Sequence, residues 1–198
     1  MDSSAKWTLL NGSEKWSKGA LFQGQRLLST HQEIKQIESR LLFVPNPKLE
    51  DIAYVQELSD IEKCEEEFFV YALHNAIFFL QKTSDLFSGF RTIVDEIENV
   101  NGKGIVKDVR DMRVHVDDYS KKKGREQERF ICKSPDGLFS ADATSSFIFQ
   151  NACQNDYLIG GRINVQKSIQ VLQKLVPIII DKCKEQIRLL DEEEDLTT

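Results

Sequence analysis

Histidine and cysteine are scarce in this chain, 3 and 4 residues among 198, and neither falls in a spacing that marks a metal or redox site. Cys64, Cys132, Cys153 and Cys183 form no CxxC pair, and His31, His74 and His115 form no HxxxH or HExxH. No metal and no cofactor is therefore expected, and free thiols fit better than a disulfide scaffold. Long apolar runs are missing too. "EFFVYALHNAIFFL" and "LVPIII" are too short or too interrupted to cross a bilayer. "MDSSAKWTLLNGSEKW" at the start has no apolar h-region. The expectation is a soluble, cytoplasmic protein without a membrane partner. Excess positive charge is also lacking: the formal net charge is −6. A generic nucleic-acid binder is usually basic, so any RNA contact must rest on a local patch. "NGKG" lacks the rest of a phosphate loop, and no Ser or Cys is marked as an activated nucleophile.

What remains is enough for a core: 40% of residues are apolar and 9% aromatic, mostly Phe. Glycines 12, 19 and 24 with scattered Trp7, Trp16, Leu21 and Phe22 predict an irregular N-terminal arm over 1–24 that docks through its tryptophans. Helical spacing of Leu27, Leu28, Ile34, Ile37, Leu41 and Leu42 predicts a helix over 25–43, stopped by Pro45 and Pro47. A long helix is expected over 48–82. Its second half, Phe68 to Leu80, is apolar nearly all round and reads as the central buried helix. Ser84 or Asp85 could cap a helix over 86–100, and "NVNGKG" turns the chain into another over 105–120. "RFIC", "SSFIFQ" and "DYLIGGRINV" predict a two- or three-stranded antiparallel β-meander, with a tight β-turn or strand-to-helix corner at the Gly pair. The last helix is expected over 165–190, kinked at Pro177, before an acidic, frayed tail over 191–198. The domain reading is one mainly α unit over 25–190, an antiparallel helical bundle of about five helices, with a small β insertion at about 129–163.

Charge is unevenly distributed. Acids crowd residues 49–67 against Lys63 alone, whereas residues 105–133 carry more bases than acids. Both blocks fit solvated faces, but the basic one also suits an anionic ligand. Within it lies "VKDVRDMRVHVDDY", residues 106–119. Asp108, Asp111, Met112, His115 and Tyr119 share one helix face, with Arg110, Arg113, Val114 and Asp117 on its flank. Arg110 and His115 stand about 140° apart around the axis. They meet at one spot only if the Arg side chain curls round or a symmetric dimer brings two helices to one groove.

"RDMRVH" resembles the Arg-(polar)-x-x-x-His signature of the HEPN superfamily, with Arg110, Asp111 and His115 in the motif positions. The bundle context extends the likeness over about 25–120 and the last helix, with the β-meander as an insertion. The wording is similar to that of HEPN-like bacterial proteins. The resemblance implies a homodimer that pairs its motif helices. It also implies metal-independent RNA cleavage, in which the ribose 2′-hydroxyl attacks the adjacent phosphate. His115 would do acid/base work, Arg110 would bind the transition-state charge, and Asp111 would orient one of them. Lys121, Lys122, Lys123 and Arg125 would attract RNA phosphates, with Arg113 and Tyr119 in secondary roles. A toxin–antitoxin or phage-defence setting, with a protein antitoxin or nucleotidyltransferase partner, would follow. The sequence departs from toxin-type members, which often carry Tyr two residues after the His; here that residue is Asp117, and Tyr119 comes four after. The other reading of His115 is an imidazole bridging Asp111 and Tyr119 at a helix contact.

His74, in "YALHNAIFF", reads as a core or interface histidine, and His31, among Gln and Glu, as an exposed one. Aromatic residues of the meander, Phe130, Phe139, Phe147, Phe149 and Tyr157, alternate with polar ones. Left exposed, they would form a protein-binding edge. The alternative function is thus a noncatalytic HEPN-like interaction or dimerisation module.

Overall fold

The computed structural model describes residues 2–115, 132–133, 140–141, 146–151 and 154–195. Among these, five α-helices run in chain order: α1 (Ser3–Leu41), α2 (Leu49–Ser84), α3 (Arg91–Asn101), α4 (Ile105–Val114) and, after the strands, α5 (Val165–Asp195). The contacts fix their directions. Ser13 meets Thr83, Gly24 meets Phe69 and His31 meets Glu62, so α1 and α2 run antiparallel. Cys183 reaches Leu10 and Ile169 reaches Gly24, so α5 runs antiparallel to α1. The mainly α, antiparallel bundle expected from the periodicity is what forms.

The irregular arm over 1–24 is not. Residues 3–24 are the opening turns of α1, capped by the Asp2 carboxylate, which accepts from the Ala5 amide at 2.7 Å. Of the glycines that read as loop punctuation, Gly12 and Gly24 lie on the helix's contact seam and Gly19 faces open space. Leu10, Ser13, Ser17, Ala20, Gly24 and Leu27 are buried at alternating three- and four-residue steps, and Ile34 follows seven residues on, the spacing of a packed helix pair. Small side chains let the backbones approach: a Cβ on Gly12 would sit 2.2 Å from Phe79 Cδ1, and one on Gly24 2.8 Å from Ile169 Cγ1. Tertiary contact overrides the weak helix propensity of glycine. Trp16 does dock, edge-on to Tyr71 at 5.6 Å, but Trp7 stays half exposed.

Pro45 and Pro47 fall in the connection between α1 and α2. Along α2, Phe69, Val70, Leu73, Ala76, Ile77 and Leu80 are buried. The helix is not buried all round, however. Phe68, Tyr71 and Phe78 are 57%, 50% and 43% exposed, although Trp16 of α1 stands against Tyr71. Ser84 and Asp85 cap no following helix. Ser84 ends α2, with its hydroxyl donating to the Gln81 carbonyl at 2.7 Å, and Asp85 is the C-cap. A single 3₁₀ turn (Ser88–Phe90) then leads into α3.

The meander forms a three-stranded antiparallel sheet. With β1 (Cys132–Lys133) and β2 (Ser140–Ala141) as a separate two-residue pair, the sheet comprises β3 (Ser146–Asn151), β4 (Gln154–Ile159) and β5 (Ile163–Asn164), in that order. β3 and β4 pair from Ser146↔Ile159 to Asn151↔Gln154. Gly160 and Gly161 both take positive φ, 60° and 66°, and the Arg162 amide donates to the Ile159 carbonyl, closing a type I′ turn. The same segment then becomes a corner. Asn164 caps α5 by accepting from the Lys167 amide at 2.9 Å, and its own amide donates to Asn101 at the end of α3. Tyr157, Ile159 and Ile163 bury this sheet against the bundle. α5 runs through Pro177 and on through the acids of the expected tail as far as Asp195. Residues 116–120 of the expected α4, residues 129–131 at the start of the expected meander, and Phe139 lie outside the described residues.

Candidate functional site: a cationic cleft beside Arg110

α3 and α4 are joined by Gly102–Lys103–Gly104, a tight turn in which both glycines take positive φ (92° and 79°). That tight turn lays α4 beside α2 and leaves a cleft of about 590 Å³ between them. His74, Ile77, Phe78, Gln81 and Lys82 of α2 form one wall; Val106, Lys107, Arg110 and Asp111 of α4 form the other. The buried Glu98 and the glycine turn, with Lys103 at its tip, close one end.

The cleft is electrostatically unusual for an acidic protein. Lys82, Lys103 and Lys107 are exposed and make no ion pair among the described residues. Arg110 Nη1 donates to Asp111 Oδ1 at 2.6 Å, a pair in which each side chain keeps 31% exposure. The Arg110 Nε–H is buried with no acceptor. His74 is half-buried, and its pKa is lowered by burial, with Arg110 and Lys107 adding to the shift and Asp111 opposing it. A neutral imidazole thus shares a cleft with three unpaired ammonium groups and a guanidinium. Such a surface attracts phosphate and can accept a proton.

Of the motif residues, the structure brings Arg110 and Asp111 into this cleft. His115 is not among its described lining residues: it is the C-cap of α4, exposed, with its backbone N–H bonded to the Asp111 carbonyl. Tyr119, Lys121, Lys122, Lys123 and Arg125 lie outside the described residues.

Arg113 lies elsewhere. Its side chain is 4% exposed, and it donates to Glu67 Oε1 at 2.5 Å and to Glu66 Oε2 and Ser146 Oγ at 3.1 Å each. Glu66 also accepts from the Ser146 and Tyr157 hydroxyls. Burial, and then the Glu66 carboxylate, push the Tyr157 phenol's pKa well up, so it remains the donor. Glu65 pairs with Arg26, and Glu62 Oε1 lies 2.6 Å from His31 Nδ1, whose ring stands edge-on to Tyr157 at 4.9 Å. Glu50, Asp51, Glu57 and Asp60 of the acidic block 49–67 are exposed as a solvated face, but Glu62, Glu65 and Glu66 are not, and His31 is not an idle exposed residue. Together these three acids and His31 bind α1, α4 and the sheet to α2. Arg113 has a structural place here, away from the cleft.

His74, a core or interface histidine by its sequence setting, is half-buried and lines the cleft. The available signal is that His74, Gln81 and Lys82 interrupt the apolar helix at i, i+7 and i+8, so they share one face.

Compared with known proteins, the chain matches no protein-family model, no curated protein and no solved structure.

Proposed function

We propose that the chain is a HEPN-like, metal-independent endoribonuclease. The observation that carries the reading is that Arg110, the arginine of the RDMRVH motif, lines a cleft whose other cations, Lys82, Lys103 and Lys107, have no carboxylate partner among the described residues. A phosphodiester supplies the missing negative charge. In this scheme the ribose 2′-oxygen attacks the adjacent phosphorus. Arg110 stabilises the charge that builds on the phosphorane, held in aim by Asp111. The nucleophile belongs to the substrate, so only proton transfer and charge stabilisation fall to the protein. The motif gives a proton-transfer role to His115, which stands exposed at the end of the same helix.

The test is RNA cleavage in excess EDTA by wild type, Arg110→Ala and His115→Ala. The reading expects cleavage by wild type and a loss on the order of 100-fold or more in each variant. Cleavage that needs added metal, or that survives Arg110→Ala, contradicts it.

A noncatalytic interaction module is the second reading, favoured by the aromatic face of α2. Phe68, Tyr71 and Phe78 leave about half of their surfaces in water on one side of one helix. A homodimer, an antitoxin or a nucleotidyltransferase partner belongs to this reading or accompanies the first. A monomer by light scattering that stays monomeric across a wide concentration range counts against the homodimer.

A further inference from the structure

An in-line attack by a 2′-hydroxyl needs two proton transfers, one from the nucleophile and one to the leaving oxygen. The motif supplies one imidazole per chain. The cleft contains another. His74 projects from α2 into the space that Arg110 and Asp111 line from α4, and it is the imidazole that shares that cleft among the described residues. It lies outside the motif, some thirty-six positions upstream of Arg110 in sequence.

We propose that His74 is the proton acceptor of the Arg110 cleft: it takes the proton of the ribose 2′-hydroxyl as that oxygen bonds to phosphorus. This rests on the ribonuclease reading above and adds a residue to it. The O2′–P bond forms, and the hydroxyl proton passes to the free ring nitrogen of His74. Arg110 holds the phosphorane charge. The P–O5′ bond then breaks, and the departing oxygen takes a proton from His115, the role left for the motif histidine. The products are a 2′,3′-cyclic phosphate and a 5′-hydroxyl, with His74 protonated and His115 neutral; exchange with water resets both.

The surroundings suit an acceptor. The charged groups that line the cleft with His74 are Lys82 from its own helix, Glu98 from α3, Lys103 from the turn, and Lys107, Arg110 and Asp111 from α4, of which Arg110, Lys107 and Asp111 act on its charge. Cations outnumber acids, and Asp111 is already engaged by Arg110. The imidazole is thereby held neutral near pH 7, as its lowered pKa also indicates. Phosphate arriving at Arg110 and Lys107 would offset those cations and help His74 accept the proton.

The experiment is the pH profile of RNA cleavage in EDTA by full-length wild type, His74→Asn, His74→Gln and His115→Asn. Circular dichroism and thermal melts confirm that each variant is folded. The proposal expects His74→Asn and His74→Gln each to lose about 100-fold. They should also lose the acidic limb of the profile, with partial rescue by added imidazole. His115→Asn should keep the acidic limb. If wild type cleaves and the His74 variants keep its rate and acidic limb, the His74 assignment is overturned while the ribonuclease reading stands. If wild type cleaves no RNA, both fall together.

Discussion

Arg113 Nη2 lies 3.1 Å from Glu66 Oε2, and the two side chains are only 4% and 7% exposed. The pair ties α4 to α2 at the point where β3 arrives, because Ser146 bonds to both partners. Truncating one member strands the other charge in the interior, and breaking a buried pair in this way costs about 3–5 kcal/mol. Arg113→Ala should therefore lower unfolding free energy by roughly 3 kcal/mol in urea. Lys63→Ala, which removes an exposed pair with Asp60, should stay within about 0.5 kcal/mol of wild type. Equal effects from the two variants would show that the buried network does not hold the bundle together.

The glycines of α1 make opposite predictions. Gly19 has open space where a Cβ would go, so Gly19→Ala should stabilise the protein by roughly 0.5–1 kcal/mol through helix propensity. Gly24 lies against Ile169 and Phe69, with Cβ distances of 2.8 and 2.9 Å, so Gly24→Ala should destabilise it by about 1–3 kcal/mol. Chemical denaturation of the two variants decides this. Stabilisation by Gly24→Ala would mean that α1 packs more loosely than described.

These glycines also show where the fold was legible and where it was not. The α2 helix can be read almost to the residue, because Pro45 and Pro47 stop one helix and apolar periodicity marks the next. The sheet and its Gly160–Gly161 turn are legible from β-branched and aromatic runs with a Gly pair between them. The first half of α1 is hidden, because a seam built from Gly12, Ser13, Ser17 and Gly24 has the composition of a loop. Only the large residues across the seam, Phe69, Phe79 and Ile169, show why small ones are needed. At the site, Arg110 and Asp111 are legible from the motif. His74 is not, since its neighbours in the cleft come from another helix, and an isolated His in an apolar stretch has the signature of a core residue. Arg113 sits in the same basic run as Arg110. Its acid partners lie in a block that looks solvated until α4 is placed beside it.

His74 also links stability to pH. Its folded pKa is lowered, so the unfolded chain takes up this proton first as pH falls past the ordinary value of 6.5. Stability is thus lost as pH falls through 6.5 towards the folded pKa, below which this group's contribution is constant. Urea midpoints at pH 7.5 and pH 5.5 should fall more steeply for wild type than for His74→Gln. Parallel slopes would place His74 in water rather than in the cleft.

The chemistry of the RNA ends tests the central claim most directly. Incubation with a defined oligoribonucleotide in EDTA, followed by mass analysis of the fragments, identifies which oxygen attacked. Attack by the ribose 2′-hydroxyl beside Arg110 predicts a 2′,3′-cyclic phosphate upstream and a 5′-hydroxyl downstream, both lost in Arg110→Ala. Fragments ending in 3′-hydroxyl and 5′-phosphate groups, or an oligoribonucleotide recovered intact, would contradict the account.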